Sequence, residues 1–295
     1  MTAPGAVARV TAAFGRHFLV EDVSGACRVA TRRGKRSDVI VGDRVRLTLD
    51  GEQAVIEETL PRTNVLKRAD GMEEKFLAAN IDQIALVFAA RPTFNPHFIW
   101  RALLAAQGAG IGALVILNKA ELPEASVARE FLCGLARLGV VTREVSAKTA
   151  PAEAVAVLLP QLQNRTTVLV GQSGMGKSTL LNLLVPDAGA RTQEFSTHLN
   201  LGKQTTSSSR WFHLPGGGAL VDSPGFQSFG LRHLDGPALV AAMPDLAAAA
   251  ARGCRFLDCW HLDEPGCSVR AALERGEIEP ARYAFYRQLV AELRT

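Results

Sequence analysis

The chain lacks any long hydrophobic run. Although 47% of its 295 residues are hydrophobic, no segment approaches the roughly 20 uninterrupted apolar residues of a membrane span. Its opening, Met1-Thr2-Ala3-Pro4-Gly5, has neither the basic start nor the apolar core of a secretory leader. A cytoplasmic location with no membrane partner is expected. Charge of one sign is scarce as well: 33 Lys and Arg face 29 Asp and Glu, a formal excess of +4 that permits an acidic partner without requiring one. Cysteine is sparse, and of the 5 present Cys27 and Cys133 stand alone and read as packed free thiols. The length allows a sizeable core divided among two or three domains.

What is present is a set of nucleotide motifs in an unusual order. Gly171-Gln172-Ser173-Gly174-Met175-Gly176-Lys177-Ser178 lies between the apolar Thr167 to Val170 and a helical stretch from Thr179 to Leu184. Glycines at 171, 174 and 176 let the backbone curl so that successive N–H groups, through Thr179, face phosphate oxygens. Lys177 reaches the β- and γ-phosphates, Ser178 offers a hydroxyl to Mg²⁺, and Asp222, behind the strand-like Gly218 to Val221, offers that metal a carboxylate. Gly225, closing Asp222-Ser223-Pro224-Gly225, can donate its N–H to the γ-phosphate. Between the two motifs, Thr205 and Thr206 in Gly202-Lys203-Gln204-Thr205-Thr206-Ser207 are candidates for a first switch, Thr206 the stronger.

The base is read by a motif that comes earlier in the chain. Asn118-Lys119-Ala120-Glu121 follows the apolar strand Ala113 to Leu117, and a carboxylate at 121 can accept from both the guanine N1–H and its exocyclic amine, a donor pair adenine lacks. Asn118 should tie this loop to the phosphate loop, and Lys119 should lay its stem over the base. Ser146-Ala147-Lys148, after a second strand Val140 to Val145, supplies backbone N–H groups for the guanine O6. Ordinary GTPases carry the phosphate loop first, so this order describes a circularly permuted domain. Phe226 stands where Ras-like enzymes have a water-orienting glutamine, so unaided hydrolysis is expected to be slow; the plain alternative is that Phe226 only packs.

The flanks differ in character. Val7 to Phe14, His17 to Val20, Ala26 to Ala30, Asp38 to Ile40, Arg44 to Leu49 and Gln53 to Glu58 read as short strands without a helix, an OB-type barrel. The run Arg32-Arg33-Gly34-Lys35-Arg36 between two of them suits a nucleic-acid backbone, though most charge runs are only solvated faces. A polar linker, Pro61 to Lys75, leads to the strand Ile81 to Ala89. At the far end Cys254, Cys259, His261 and Cys267, spaced Cys-x4-Cys-x-His-x5-Cys, match a structural Zn²⁺ site, with disulfide pairing as the alternative. Val269 to Leu273 and Pro280 to Leu293 read as helices.

Together these features resemble the bacterial ribosome small-subunit-dependent GTPase A family from about residue 5 to 292, including Glu264-Pro265-Gly266 just before the last cysteine of the cluster. The resemblance implies a multidomain α/β protein: a barrel (1–62), a permuted P-loop GTPase domain with a mostly parallel sheet (75–235), and a helical zinc-binding domain (236–295). It implies a monomeric GTP hydrolase that cycles between GTP and GDP with Mg²⁺ and one Zn²⁺ per chain. Its expected partner is the small (30S) ribosomal subunit with its 16S rRNA, in late maturation, with hydrolysis stimulated by the subunit and coupled to release. The family commonly has a histidine before the paired threonines, where this chain has Gln204, an amide that can also orient water. Rival readings are a permuted GTPase of the large subunit, a non-catalytic rRNA-binding scaffold, and a P-loop ATPase or kinase, the last disfavoured by Asn118 and Glu121.

Overall fold

The computed structural model describes residues 6–32, 38–50, 53–70, 73–188, 209–223, 229–231 and 234–294. Arg33, Gly34, Lys35, Arg36, Gln204, Thr205, Thr206, Gly225 and Phe226, all used above, lie outside these residues.

The N-terminal strands close on themselves. β1 (Ala6–Phe14), β2 (His17–Asp22), β3 (Cys27–Arg32), β4 (Arg44–Asp50) and β5 (Gln53–Thr59) run β1-β2-β3-β5-β4, and a β1–β4 pairing completes the ring. Period-2 alternation sends Val10, Phe18, Val20, Ala30, Val45, Leu47 and Ile56 inward to one small core. This is the expected OB-type barrel, with one correction: Asp38 to Ile40 forms no strand. The Ile40 N–H donates to the Asp43 carboxylate at 2.9 Å, a local bond that replaces a ladder bond. Asp43 in turn accepts from Arg62 Nε and Nη2 at 2.6 and 2.8 Å.

The polar linker is also corrected. β6 (Val65–Asp70) and β7 (Glu73–Ala79) pair as an antiparallel hairpin, and Leu66, Leu77 and Ala78 sink into the largest core.

The remaining strands form a second layered unit. β8 (Gln83–Phe88), β9 (Gly112–Leu117), β10 (Val141–Glu144), β11 (Thr166–Val170) and β13 (Ala219–Asp222) are parallel, and β12 (Arg210–His213) runs antiparallel to β13. β8 shows why the sheet is buried on both sides: Ile84, Leu86 and Phe88 join one core, Ala85 and Val87 the other. α1 (Pro96–Gly108) and α2 (Ala125–Arg137) cover the first face; α3 (Pro151–Leu162) and α4 (Lys177–Leu184) cover the second. The order β10-β9-β8-β11-β13-β12 reverses direction at β8, where β9 lies on one side and β11 on the other. Crevices at the carboxyl ends of strands at such a reversal are where open α/β sheets bind ligands.

Barrel and sheet are joined edge to edge. Ala12 of β1 pairs with Arg210 of β12, the Arg9 guanidinium lies 4.4 Å from the Trp211 ring and that of Arg210 5.5 Å from the Phe14 ring. His213 Nε2 meets the Glu21 carboxylate at 2.7 Å. At the other end α5 (Gly236–Ala241), α6 (Pro244–Ala250), α7 (Ser268–Glu274) and α8 (Pro280–Leu293) bury side chains in the same core as α1, and α8 packs on α1 directly. Trp100 and Phe285 are 5.3 Å apart, and Arg101 donates to the Phe229 carbonyl at 2.9 Å and to Glu292 at 2.7 Å. Among the described residues no helix is long and apolar enough to cross a membrane. Cys27 and Cys133 are exposed, not packed as expected.

Candidate functional site

The phosphate loop forms as its glycines require. Gly176 caps α4 with φ 97°, and a Cβ there would stand 2.2 Å from Asn118 Nδ2. A Cβ on Gly171 would meet the Val87 carbonyl oxygen at 2.3 Å. Loop and neighbouring strand thus approach closer than any side chain allows. The Lys177 ammonium donates to the carbonyls of Gly171 and Gln172 at 2.6 and 3.1 Å, and Gln172 Oε1 accepts the Asn95 N–H at 3.0 Å. Ser173, Gly174, Ser178 and Thr179 are exposed at the mouth of the loop, whereas the Met175 side chain is buried in the core and offers only its backbone.

Asp222 ends β13 beside this loop, opposite Leu169 on one side and Arg210 on the other. Burial pushes its carboxyl above the ordinary carboxylate range, against the pull of Lys177 and Arg210. Burial likewise lowers Lys177, with Asp222 opposing. A hydroxyl at Ser178 and a carboxylate at Asp222 are hard oxygen donors of the kind Mg²⁺ takes.

Asn118 joins three loops. Only 2% exposed, it donates from Nδ2 to the Met175 carbonyl at 3.0 Å and accepts the Ala147 N–H on Oδ1 at 3.2 Å. Lys119, with φ 58°, sends its ammonium to the carbonyls of Arg91 and Gly174 at 2.9 and 2.8 Å. Glu121 and Lys148 are exposed, Ala147 is buried and Ser146 half-buried. The chain therefore brings Asn118 to Glu121, Ser146 to Lys148, Gly171 to Thr179 and Asp222 to one end of one sheet. Residue-type reasoning missed Arg129, which donates to the Ala120 carbonyl at 2.5 Å and to Glu144 at 2.7 Å. The available signal was position: helical side chains lean toward the N-terminus, and Arg129 sits in the second turn of the helix that leaves this loop.

At the C-terminal end Cys254, Cys259, His261 and Cys267 converge, their ligand atoms all within 4.8 Å of one another. His261 Nδ1 is 3.5 Å from Cys254 Sγ and 3.4 Å from Cys267 Sγ. Zn–S and Zn–N bonds at tetrahedral angles set an S···N edge of about 3.6 Å, so donor type and spacing both fit one Zn²⁺. None of the three cysteines is in a disulfide. Burial pushes the Cys259 thiol up to about 12, whereas hydrogen bonds from the Ser268 hydroxyl and N–H outweigh burial and lower Cys254. Glu264 accepts the N–H groups of Trp260 and Leu262 at 2.9 and 2.8 Å, and Tyr283 and Tyr286 donate to the carbonyls of His261 and Trp260 at 2.7 and 2.6 Å. The ligand loop is thereby clamped to α8.

A parallel sheet with a Gly-rich phosphate-loop motif after β11, the Asn118-Lys119-Ala120-Glu121 motif before it in the chain and Asp222 at the end of β13 has the parts of a circularly permuted P-loop GTPase, a GTP hydrolase. Comparison with known proteins narrows the class. The RsgA GTPase family model matches residues 59–232. The protein named small ribosomal subunit biogenesis GTPase RsgA of Bordetella pertussis is 47% identical over 286 residues, 96% of this chain and 95% of that one. Its namesake in Burkholderia pseudomallei is 47% identical over 287 residues, 96% and 91% of the two chains. Among solved structures, YjeQ from Thermotoga maritima superposes with a TM-score of 0.72 at 28% identity, covering 98% of each chain. YloQ, described as a circularly permuted GTPase, gives 0.71 at 25% identity over 98% and 95%. The chain belongs to the RsgA GTPase family.

Proposed function

We propose that this GTPase acts in biogenesis of the small ribosomal subunit, binding the 30S particle through 16S rRNA late in its maturation and leaving as GTP is hydrolysed. The observation that carries this is the near full-length relationship to proteins named for that role. In this reading Glu121 accepts the two guanine donors, and Asn118 with Lys119 holds the base loop against the phosphate loop. Backbone N–H groups of Ser146, Ala147 and Lys148 take the guanine O6. N–H groups from Gly171 through Thr179 cradle the phosphates, and Lys177 neutralises charge on the β- and γ-phosphates. Ser178 and Asp222 hold Mg²⁺, which when bound offsets charge between those phosphates; Thr206 and Gly225 close over the γ-phosphate, and Gln204 orients the attacking water. Cys254, Cys259, His261 and Cys267 hold one structural Zn²⁺. The division into 1–62, 75–235 and 236–295, the cytoplasmic location and a monomeric state complete the proposal.

The test is GTP turnover by the full chain with and without purified subunits. Alone it should turn over within a few decades of the roughly 10⁻⁴ s⁻¹ of unassisted Ras-like enzymes. Small subunits should raise the rate at least about tenfold and large subunits hardly at all. Equal stimulation by both, or by neither, breaks the ribosomal half of the reading; absence of turnover under every condition leaves the static scaffold.

A further inference from the structure

A carboxylate that reads a base must be aimed by the backbone that carries it. Glu121 is exposed, so no packing holds its side chain, and what fixes its starting point is the peptide plane joining it to Ala120, because the Ala120 carbonyl and the Glu121 N–H lie in one rigid unit. That carbonyl is the acceptor of Arg129 Nη2 at 2.5 Å. The N–H on the other side of Ala120 donates to the Val145 carbonyl at 3.2 Å. Through Nε, Arg129 also holds Glu144 at 2.7 Å, the last residue of β10 and two before Ser146. One planar guanidinium therefore spans the two loops that face the base, using two of its fixed donor directions.

The other links between these loops, from Asn118 to Ala147 and from Ala120 to Val145, come from the loops themselves. Arg129 acts from outside both. We propose that Arg129 is a specificity-positioning residue, fixing the Ala120–Glu121 peptide plane against the end of β10 so that Glu121 meets the exocyclic amine of guanine. The inference rests on the reading of Glu121 as the guanine acceptor. A surface ion pair alone contributes little; what gives Arg129 leverage is the backbone carbonyl it holds. A lysine ammonium can serve two acceptors, as Lys119 does, but from one point, so it does not reproduce two nitrogens held at the fixed spacing of the guanidinium fork.

Inosine diphosphate separates this role from general support, since it is guanosine diphosphate without the exocyclic amine. Binding of fluorescent GDP, with GDP and IDP as competitors, is measured on the full chain for wild type, Arg129→Ala, Arg129→Lys, Glu144→Ala and Glu121→Ala. Arg129→Ala should weaken GDP about tenfold, the worth of roughly one hydrogen bond, and IDP by clearly less, since IDP keeps the N1–H that Glu121 also accepts but lacks the amine, so the preference for GDP over IDP shrinks as it does in Glu121→Ala. Arg129→Lys and Glu144→Ala should fall between that variant and wild type, and they decide the matter if Arg129→Ala does not fold. Equal weakening of GDP and IDP, or an intact preference while Glu121→Ala loses it, overturns the role of Arg129 and leaves the guanine reading standing. An intact preference in Glu121→Ala overturns that reading and this inference with it.

Discussion

Gly176 carries two demands at once. Its φ of 97° favours glycine, and its hydrogen points at an amide that is already bonded on both sides. A methyl at this position must displace Asn118 Nδ2 from 2.2 Å, so the bridge to Met175 or Ala147 has to break. Gly176→Ala should therefore cost about 1–3 kcal/mol of loop stability and weaken GDP roughly tenfold to a hundredfold, read by titration with fluorescent GDP. Wild-type affinity in that variant would show that the Asn118 bridge does not hold the loop. Asp43 makes a second case. Its side chain is 0% exposed and that of Arg62 is 16% exposed, so Arg62→Ala strands a buried carboxylate. A loss of about 3–5 kcal/mol in urea unfolding is expected; a loss under about 1 kcal/mol would mean that water reaches Asp43 once the arginine is gone. The phosphate-loop residues were legible because they are contiguous and their chemistry is local. Arg62 and Arg129 were not, since each acts on a carbonyl or carboxylate that only folding brings near.

Whole elements were legible where side-chain period matched burial. β8, β9 and β11 are continuous apolar runs covered on both faces, and the sequence showed them within a residue or two. The β6–β7 hairpin was hidden because Lys67, Arg68, Asp70, Glu73, Glu74 and Lys75 crowd its turn, leaving few apolar positions to show alternation. Asp38 to Ile40 looked like a strand because Val39 and Ile40 are apolar; Val39 is buried in the barrel core, but as a loop residue. The cysteine cluster was legible as a donor set, while its clamp on α8 through Tyr283 and Tyr286 was not. Elemental analysis should find one zinc per chain. Chelation or Cys259→Ser should raise hydrogen exchange across residues 254–275 and change GDP affinity by less than about threefold. α8 keeps its own anchors, Phe285 on Trp100 and Arg282 on Asp245, so the disturbance stays local. Metal-free protein with full protection across that stretch would remove the zinc site.

At the scale of the whole molecule, the partner contact proposed for the barrel and the chemistry proposed for the phosphate loop belong to distant parts of the chain. Replacing Arg32, Arg33, Lys35 and Arg36 by neutral residues should lower stimulation by small subunits and flatten its salt dependence, since fewer counterions are released from phosphate. Basal turnover should not move. A salt slope equal to that of the wild type would exclude these cations from the contact. Any effect of the barrel on the nucleotide end has a physical route in the edge where Arg210 faces both Ala12 and Asp222. That edge was invisible in the sequence, because nothing local marks two strands so far apart in the chain as partners.

The same edge has a consequence in time. A chain made from its N-terminus completes the barrel by Thr59 and has β8, β9 and β10 before the phosphate loop exists. Until β11 is made, β8 lacks its neighbour on one side, and until residue 210 is made β1 lacks β12. Unpaired strand edges invite pairing with other chains, and the opening on β1 is short and follows an irregularity in register between Val10 and Ala12. A growing chain halted before Arg210 thus carries a finished barrel with an open seam, and barrel and sheet become one body only after most of the sequence has been synthesised.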